Sequence, residues 1–321
     1  MATTTTPDVR LSSLPPAVGR AGPGGAIASE FTKLRSVRST YWTLGALFIV
    51  SVGLGVGLSA AAAANFNAHP ASKAAFDATQ GSLGVFFFLG ELIISVIGAM
   101  VITSEYSTGM IRTSLSAQPR RGVVYAAKAI TLTAVTLAVS VITSFVAFFA
   151  GQAVFASSGV AASLFHTVRV PANVHVHCLQ PTQVGPGQFT CAPGDRVVTY
   201  SGWDVIHPSA VLAAVIGTAL FVTLVAVIAF GIGSIIRHTA GAITSAIALV
   251  FVIPLVENAL PSDWHNDIMR FLPDAANQVV SVTIGPTSQN LWSAWPQLGV
   301  TAIWAAALVA VGAYLFRKRD A

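Results

Sequence analysis

Glu91 is the one charged residue deep inside a long apolar run, residues 83–103. A carboxylate at membrane depth is expensive, so it must face a bundle interior, hold a proton or line a substrate path. A second set of reactive groups, His166, His175, His177, Cys178, Cys191 and His207, lies between residues 157 and 208. On a strand, Val174-His175-Val176-His177 would set both imidazoles on one face. Cys178 could join them as a metal ligand. The competing reading is a Cys178–Cys191 disulfide closing a small hairpin, with turn-rich Pro181 to Gly187 and a returning strand from Gln188 to Cys191.

A third set mixes acidic, aromatic, small and basic residues: Thr103-Ser104-Glu105-Tyr106-Ser107-Thr108-Gly109-Met110-Ile111-Arg112-Thr113, then Pro119-Arg120-Arg121 and Lys128. This composition suits docking against a protein rather than bond-breaking chemistry. Glu105 and Arg112 are two helical turns apart, so a continuous helix would project both from one face. An intramembrane protease or lipid transferase would need paired acids, histidines or a Ser/His arrangement at membrane depth. An ion-coupled transporter would show several intramembrane charges and unwound segments. These two remain the alternatives to a docking function, and Glu91 is the only residue that speaks for them. No G-x-x-x-x-G-K-[ST] loop occurs, so the chain does not cradle nucleotide phosphates by that route and no cofactor is expected.

The elements that must hold these residues are membrane spans. Of the 321 residues 54% are hydrophobic and only 9% charged, against about a quarter charged in an ordinary soluble domain. That excludes a soluble enzyme and a disordered chain. Six runs are apolar and long enough to cross: about 41–64, 83–103, 129–150, 209–236, 239–259 and 296–316. Arg237 and His238 form the short turn between the fourth and fifth, and Pro254 should kink the fifth. Gly53 and Gly57 make a small-xxx-small face for close helix packing. With the N-terminus inside, the 17 lysines and arginines divide 13 to 4 in favour of the cytoplasmic side. Both termini are therefore cytoplasmic, and the basic balance needs no nucleic acid. The loop at 157–208 is external, where disulfides persist, which favours the Cys178–Cys191 bridge over the metal.

Residues 1–28 lack an apolar core and read as a disordered cytoplasmic tail ahead of an uncleaved anchor. From Ser29, with Glu30 suited to a helix start, the positions Ile27, Phe31, Leu34, Val37 and Tyr41 share a stripe flanked by Lys33 and Arg35, with Arg38 following. This is an amphipathic helix lying on the inner surface. Ser262 to Leu272 places Trp264, Ile268, Phe271 and Leu272 on one face, as a short helix dipping into the outer interface would. The fold class is an all-α polytopic membrane protein: six transmembrane helices in a domain over 29–317, with an N-terminal surface helix.

Three blocks in this frame resemble the ABC-2-type transporter permeases of actinobacteria. They are Glu30-Phe31-Thr32-Lys33-Leu34-Arg35-Ser36-Val37-Arg38-Ser39-Thr40-Tyr41-Trp42-Thr43-Leu44, the segment from Thr103 to Thr113 with Pro119-Arg120-Arg121, and Leu260-Pro261-Ser262-Asp263-Trp264 with Arg270-Phe271-Leu272-Pro273. The resemblance implies a multi-pass plasma-membrane permease, an exporter subunit without catalytic activity of its own. It would pair with a second permease copy or homologue, contact membrane lipid and be driven by two copies of a separate ATP-binding subunit. Carried over, residues 29–40 are the surface helix, with Phe31, Lys33, Leu34, Arg35 and Arg38. Residues 104–118 contain the coupling helix, with Glu105, Tyr106, Gly109, Met110 and Arg112. The turn at Arg237 is a second contact with the ATPase.

Overall fold

The computed structural model describes residues 22–68, 76–178, 182–185, 188–190, 196–253, 256, 271–273 and 294–318. The helices are α1 (Pro23–Ser36), α2 (Arg38–Ala68), α3 (Ala78–Ser107), α4 (Met110–Ala117), α5 (Arg121–Ala156), α6 (Pro208–Ile236), α7 (Thr239–Ile247) and α8 (Ala294–Lys318). Between α5 and α6 run four strands: β1 (Val168–Cys178), β2 (Thr182–Gly185), β3 (Gln188–Thr190) and β4 (Arg196–Ile206).

Among the described residues, five helices are long and apolar enough to cross a membrane: Arg38–Phe66, Ala78–Ser107, Arg121–Ala156, Pro208–Ile236 and Trp295–Lys318. The shortest has 24 residues, about 36 Å of rise against a ~30 Å hydrocarbon core. The corresponding predicted runs all lie inside these helices. The helices continue past them because a hydrogen-bonded helix ends at a cap or a breaker, not at its first polar residue. Asp77 supplies such a cap, its Oδ1 accepting from the amides of Thr79 and Gln80 at 2.8 and 3.1 Å.

The fifth predicted span differs. Its described part, Thr239–Val252, is a shorter apolar helix in which α7 runs into a π-helical turn at Ala248–Val252. That turn lies just ahead of Pro254 in the sequence, and a proline has no N–H to give a helical carbonyl four residues earlier. A local widening of the helix is one way to absorb the loss. Pro254 itself, like all of 257–270, lies outside the described residues, so the predicted interfacial helix at 262–272 has only its end described.

The body is helical throughout, with α6 at its centre against α3, α5 and α8. Phe87 stacks on Phe221 at 4.8 Å between ring centroids. Gly98 lets α3 approach so closely that a Cβ there would overlap the Ala226 carbonyl of α6. Tyr125 of α5 sits between Phe230 and Phe316, and its hydroxyl donates to the Val309 carbonyl of α8 at 3.1 Å. At the far end, Gln152 donates to the Ala78 carbonyl at 2.9 Å and accepts from the Ala162 amide at 2.7 Å. The small-residue face of α2 is not where the glycine spacing placed it. Ser51, Gly55 and Ser59 are buried toward α3, with the Ser82 carbonyl 3.5 Å from a Cβ built at Gly55. Gly53 and Gly57 are exposed, with open space around both.

The loop at 157–208 carries a two-stranded antiparallel ribbon, β1 on β4, from Val168↔Ile206 to Cys178↔Arg196. The strand anticipated at Val174–His177 is present, but its partner is Val197–Tyr200 rather than Gln188–Cys191. Residues 188–190 instead return on β2. Cys191 and the side chains of His175, His177 and Cys178 lie outside the described residues, so both the disulfide and the metal reading fall there.

Candidate functional site

The surface helix begins earlier than its sequence signals indicated. Pro23 occupies the first turn of α1, with Gly22 as its N-cap; proline's fixed φ and missing N–H suit that position. Ser29 and Glu30 therefore sit mid-helix, and residues 23–28 belong to the helix rather than to a disordered tail. Val37, in extended conformation, separates α1 from α2. The face of α1 turned to the bundle carries Glu30, which is 7% exposed, together with half-buried Ile27, Lys33 and Leu34. Phe31 remains 50% exposed, and Arg35 and Arg38 point outward.

A buried acid on α1 needs a partner, and the fold provides two. Lys128 Nζ lies 2.7 Å from Glu30 Oε2 and 2.5 Å from Glu105 Oε1. Lys33 Nζ lies 2.8 Å from Glu30 Oε1 and 3.1 Å from Glu105 Oε1, and also donates to Ser114 Oγ of α4 at 3.0 Å. Two cations and two anions thus alternate in a closed cluster that ties α1, α3, α4 and α5 together. Its inner members are almost dry: the side chains of Lys128 and Glu105 are 1% and 6% exposed. Burial pulls the Lys33 ammonium down, but the hydrogen bonds and negative charges of Glu30 and Glu105 outweigh it and raise its pKa above the ordinary lysine value.

Glu105 is therefore not an exposed docking residue; it is part of the internal cluster. Nor do Glu105 and Arg112 share a continuous helix. α3 ends at Ser107 and α4 begins at Met110, separated by Gly109 at φ +72°, a left-handed conformation that glycine adopts without the Cβ penalty. α4 is anchored by Ile111, 2% exposed, while Met110 is 44% exposed and Arg112, Thr113 and Ser116 face outward. The predicted coupling helix at 104–118 is an elbow: the last turn of α3, a glycine hinge and a two-turn amphipathic helix.

Arg237 is brought to this elbow. It caps α6 at φ 61°, its amide bonding the Gly233 carbonyl at 2.9 Å, and its guanidinium lies 4.9 Å from the centroid of the Tyr106 ring, within cation–π range. His238 then caps α7, its side chain accepting from the Gly241 amide at 3.4 Å. Glu91, by contrast, sits mid-span on α3, 4% exposed and turned into the bundle, apart from this end. Sequence patterning did not pair Glu30 with Lys128: it read Glu30 as a helix start and Lys128 as the end of the basic loop. The signal was available: Glu30 shares the α1 stripe with Ile27 and Leu34, and Lys128 is the one charge between Arg121 and the end of α5. What sequence spacing lacked was the packing of α1 on α5 that brings them together.

The arrangement holds no nucleophile–base pair and, among the described residues, no group of three or more His, Cys, Asp or Glu able to hold a metal. It is a charged platform at one end of a helical bundle. The basic end also carries Arg317 and Lys318 of α8 in its last turn. A search of curated proteins finds no match. Residues 26–178 match the family model described as ABC-2 family transporter protein, a stretch that contains most of α1, the elbow and all four members of the charge cluster. Residues 26–178 thus carry an ABC-2 family transporter domain, a similarity that supports a multi-pass membrane permease of the ABC-2 type.

Proposed function

We propose that the chain is an exporter permease whose α1–α4 platform receives a separate ATP-binding subunit. The observation that carries this reading is a groove of about 500 Å³ between α1, α4 and α5. Its α1 wall is made of the small residues Gly25, Ala26 and Ser29, and its α4 wall of Met110, Thr113 and Gln118. The floor is the charge cluster, through Glu30 and Lys33. Small residues on one wall and a flexible thioether on the other suit insertion of a partner's helix or side chain. Because Lys33 bonds both Glu105 at the end of α3 and Ser114 on α4, a push on the platform reaches the spans through short, partly buried contacts. The family match over residues 26–178 supports an ABC ATP-binding partner; a homodimeric or heterodimeric permease pair, with two ATPases, completes the proposed assembly. Arg112 on α4, with Tyr106 and Arg237 beside the elbow, forms the rim of the docking surface.

The test is co-purification and ATP-dependent efflux after co-expression with the ATPase. Ser29→Trp, which fills the groove, and Arg112→Glu, on its rim, should each lower ATPase retention at least tenfold at normal permease levels in the membrane. Full retention and transport in both variants would remove this surface as the docking site.

A further inference from the structure

A second cavity, of about 400 Å³, lies on the other flank of α1, between it, the start of α5 and the end of α8. Its walls are apolar, with Ile27, Val123, Ala126 and Ile130, and its polar residues are Arg120 and Arg317. Arg317 lies across the first turn of α5 because Gly122 has no side chain; a Cβ there would be 2.8 Å from a guanidinium nitrogen. Arg120 is the N-cap of α5 and provides no capping side chain, and no acid occupies the first turn. Cations are disfavoured at the positive end of a helix dipole, yet two gather here. No ion pair among the described residues engages either one. The spot calls for an anion.

The walls say what the anion is attached to. Ile130 is 52% exposed, so the cavity opens along the outer flank of α5 rather than into the bundle. From Arg120 to Ile130 the helix rises about 15 Å, half of a ~30 Å hydrocarbon core, the depth of one leaflet. We infer that this cavity is a binding site for one anionic phospholipid, its phosphate between Arg120 and Arg317 and an acyl chain along Val123, Ala126 and Ile130. Paired guanidinium groups match phosphate oxygens, and basic pockets between spans on the inner side suit anionic headgroups. A bound lipid would brace α1 from the side opposite the docking groove, so it acts on the permease whether or not an ATPase is present.

The experiment is native mass spectrometry of the full-length permease alone, titrated with phosphatidylglycerol or phosphatidylcholine. The expected result is one tightly retained phosphatidylglycerol per chain, with at least tenfold weaker phosphatidylcholine. Joint Arg120→Gln and Arg317→Gln replacement should weaken phosphatidylglycerol at least tenfold, whereas Arg112→Gln, a cation of the same end outside the cavity, should change it less than twofold. Ala126→Leu fills the cavity with both arginines intact, and it should weaken lipid retention even if the double variant fails to fold. Unchanged retention in Ala126→Leu, or equal loss in Arg112→Gln, overturns the site in favour of diffuse surface charge. Displacement of the lipid by millimolar inorganic phosphate would overturn it in favour of a simple anion site.

Discussion

Lys128 and Glu105 meet at 2.5 Å between α5 and α3, and neither can satisfy its charge in water. Removing a partner from a buried pair strands the other charge, a loss of about 3–5 kcal/mol, while replacing both can be neutral. The cluster as found is neutral, with two lysines and two glutamates. Lys128→Met leaves it with an excess negative charge, and Glu105→Gln with an excess positive one. Each single variant should therefore lower resistance to thermal unfolding in detergent, by about 3 kcal/mol or more. The double variant leaves the Glu30–Lys33 pair and restores neutrality, so it should recover most of that loss. Additive losses in the double variant would show that the two charges are not coupled.

Lys33 gives the cluster a pH signature. Its pKa is raised in the fold, so its contribution is fully present below the ordinary lysine value of about 10.4 and is lost only as pH rises through the higher folded value. Hydrogen exchange of α1 amides, corrected for intrinsic rate, should show protection persisting past pH 10 and falling above it. Lys33→Met should abolish that alkaline step. A step at the same pH in the variant would assign it to another group.

Much of this architecture was legible because hydropathy is a one-dimensional property. The spans, the amphipathic α1 and the basic end follow from runs, stripes and charge bias. What escaped depends on contacts across the chain. Glu30 and Lys128 are separated by 98 positions, and only the docking of α1 on α5 reveals that they are partners. The elbow escaped for a local reason. Gly109 was visible in the sequence, but a glycine inside a helical pattern does not announce a left-handed φ, so Glu105 and Arg112 read as one face. The misplaced face of α2 has the same origin, since spacing identifies a small-residue stripe but not which neighbour covers it.

That stripe yields a contrast. Gly98 sits where any Cβ would overlap the Ala226 carbonyl, whereas a Cβ at Gly53 meets nothing within 4 Å. Gly98→Ala must push α3 from α6, an overpacking cost of about 1–3 kcal/mol. Gly53→Ala should leave the fold intact or stabilise it by about 0.5–1 kcal/mol through helix propensity. Thermal unfolding of the two variants side by side measures the difference. Equal stability would mean that α3 and α6 do not approach as closely as described.

The elbow invites the sharpest test of coupling, because the fold contains its own control. Gly109 and Gly159 have the same φ of +72°, and a Cβ at either would meet no atom within 4 Å. Replacing either by alanine therefore imposes a similar backbone strain, about 1–2 kcal/mol for a left-handed L-residue, without a clash. Their positions differ: Gly109 joins α3 to α4 beside the docking groove, while Gly159 follows α5 at the opposite end. If strain alone mattered, both variants would lose stability and transport alike. If the elbow aims α4 at the ATPase, Gly109→Ala should cut ATPase retention and ATP-dependent transport about tenfold while insertion and helix content stay normal, and Gly159→Ala should spare both. Gly109→Asn, which tolerates the left-handed region better, should fall between wild type and alanine. Parallel losses in Gly109→Ala and Gly159→Ala would show that the hinge contributes only stability.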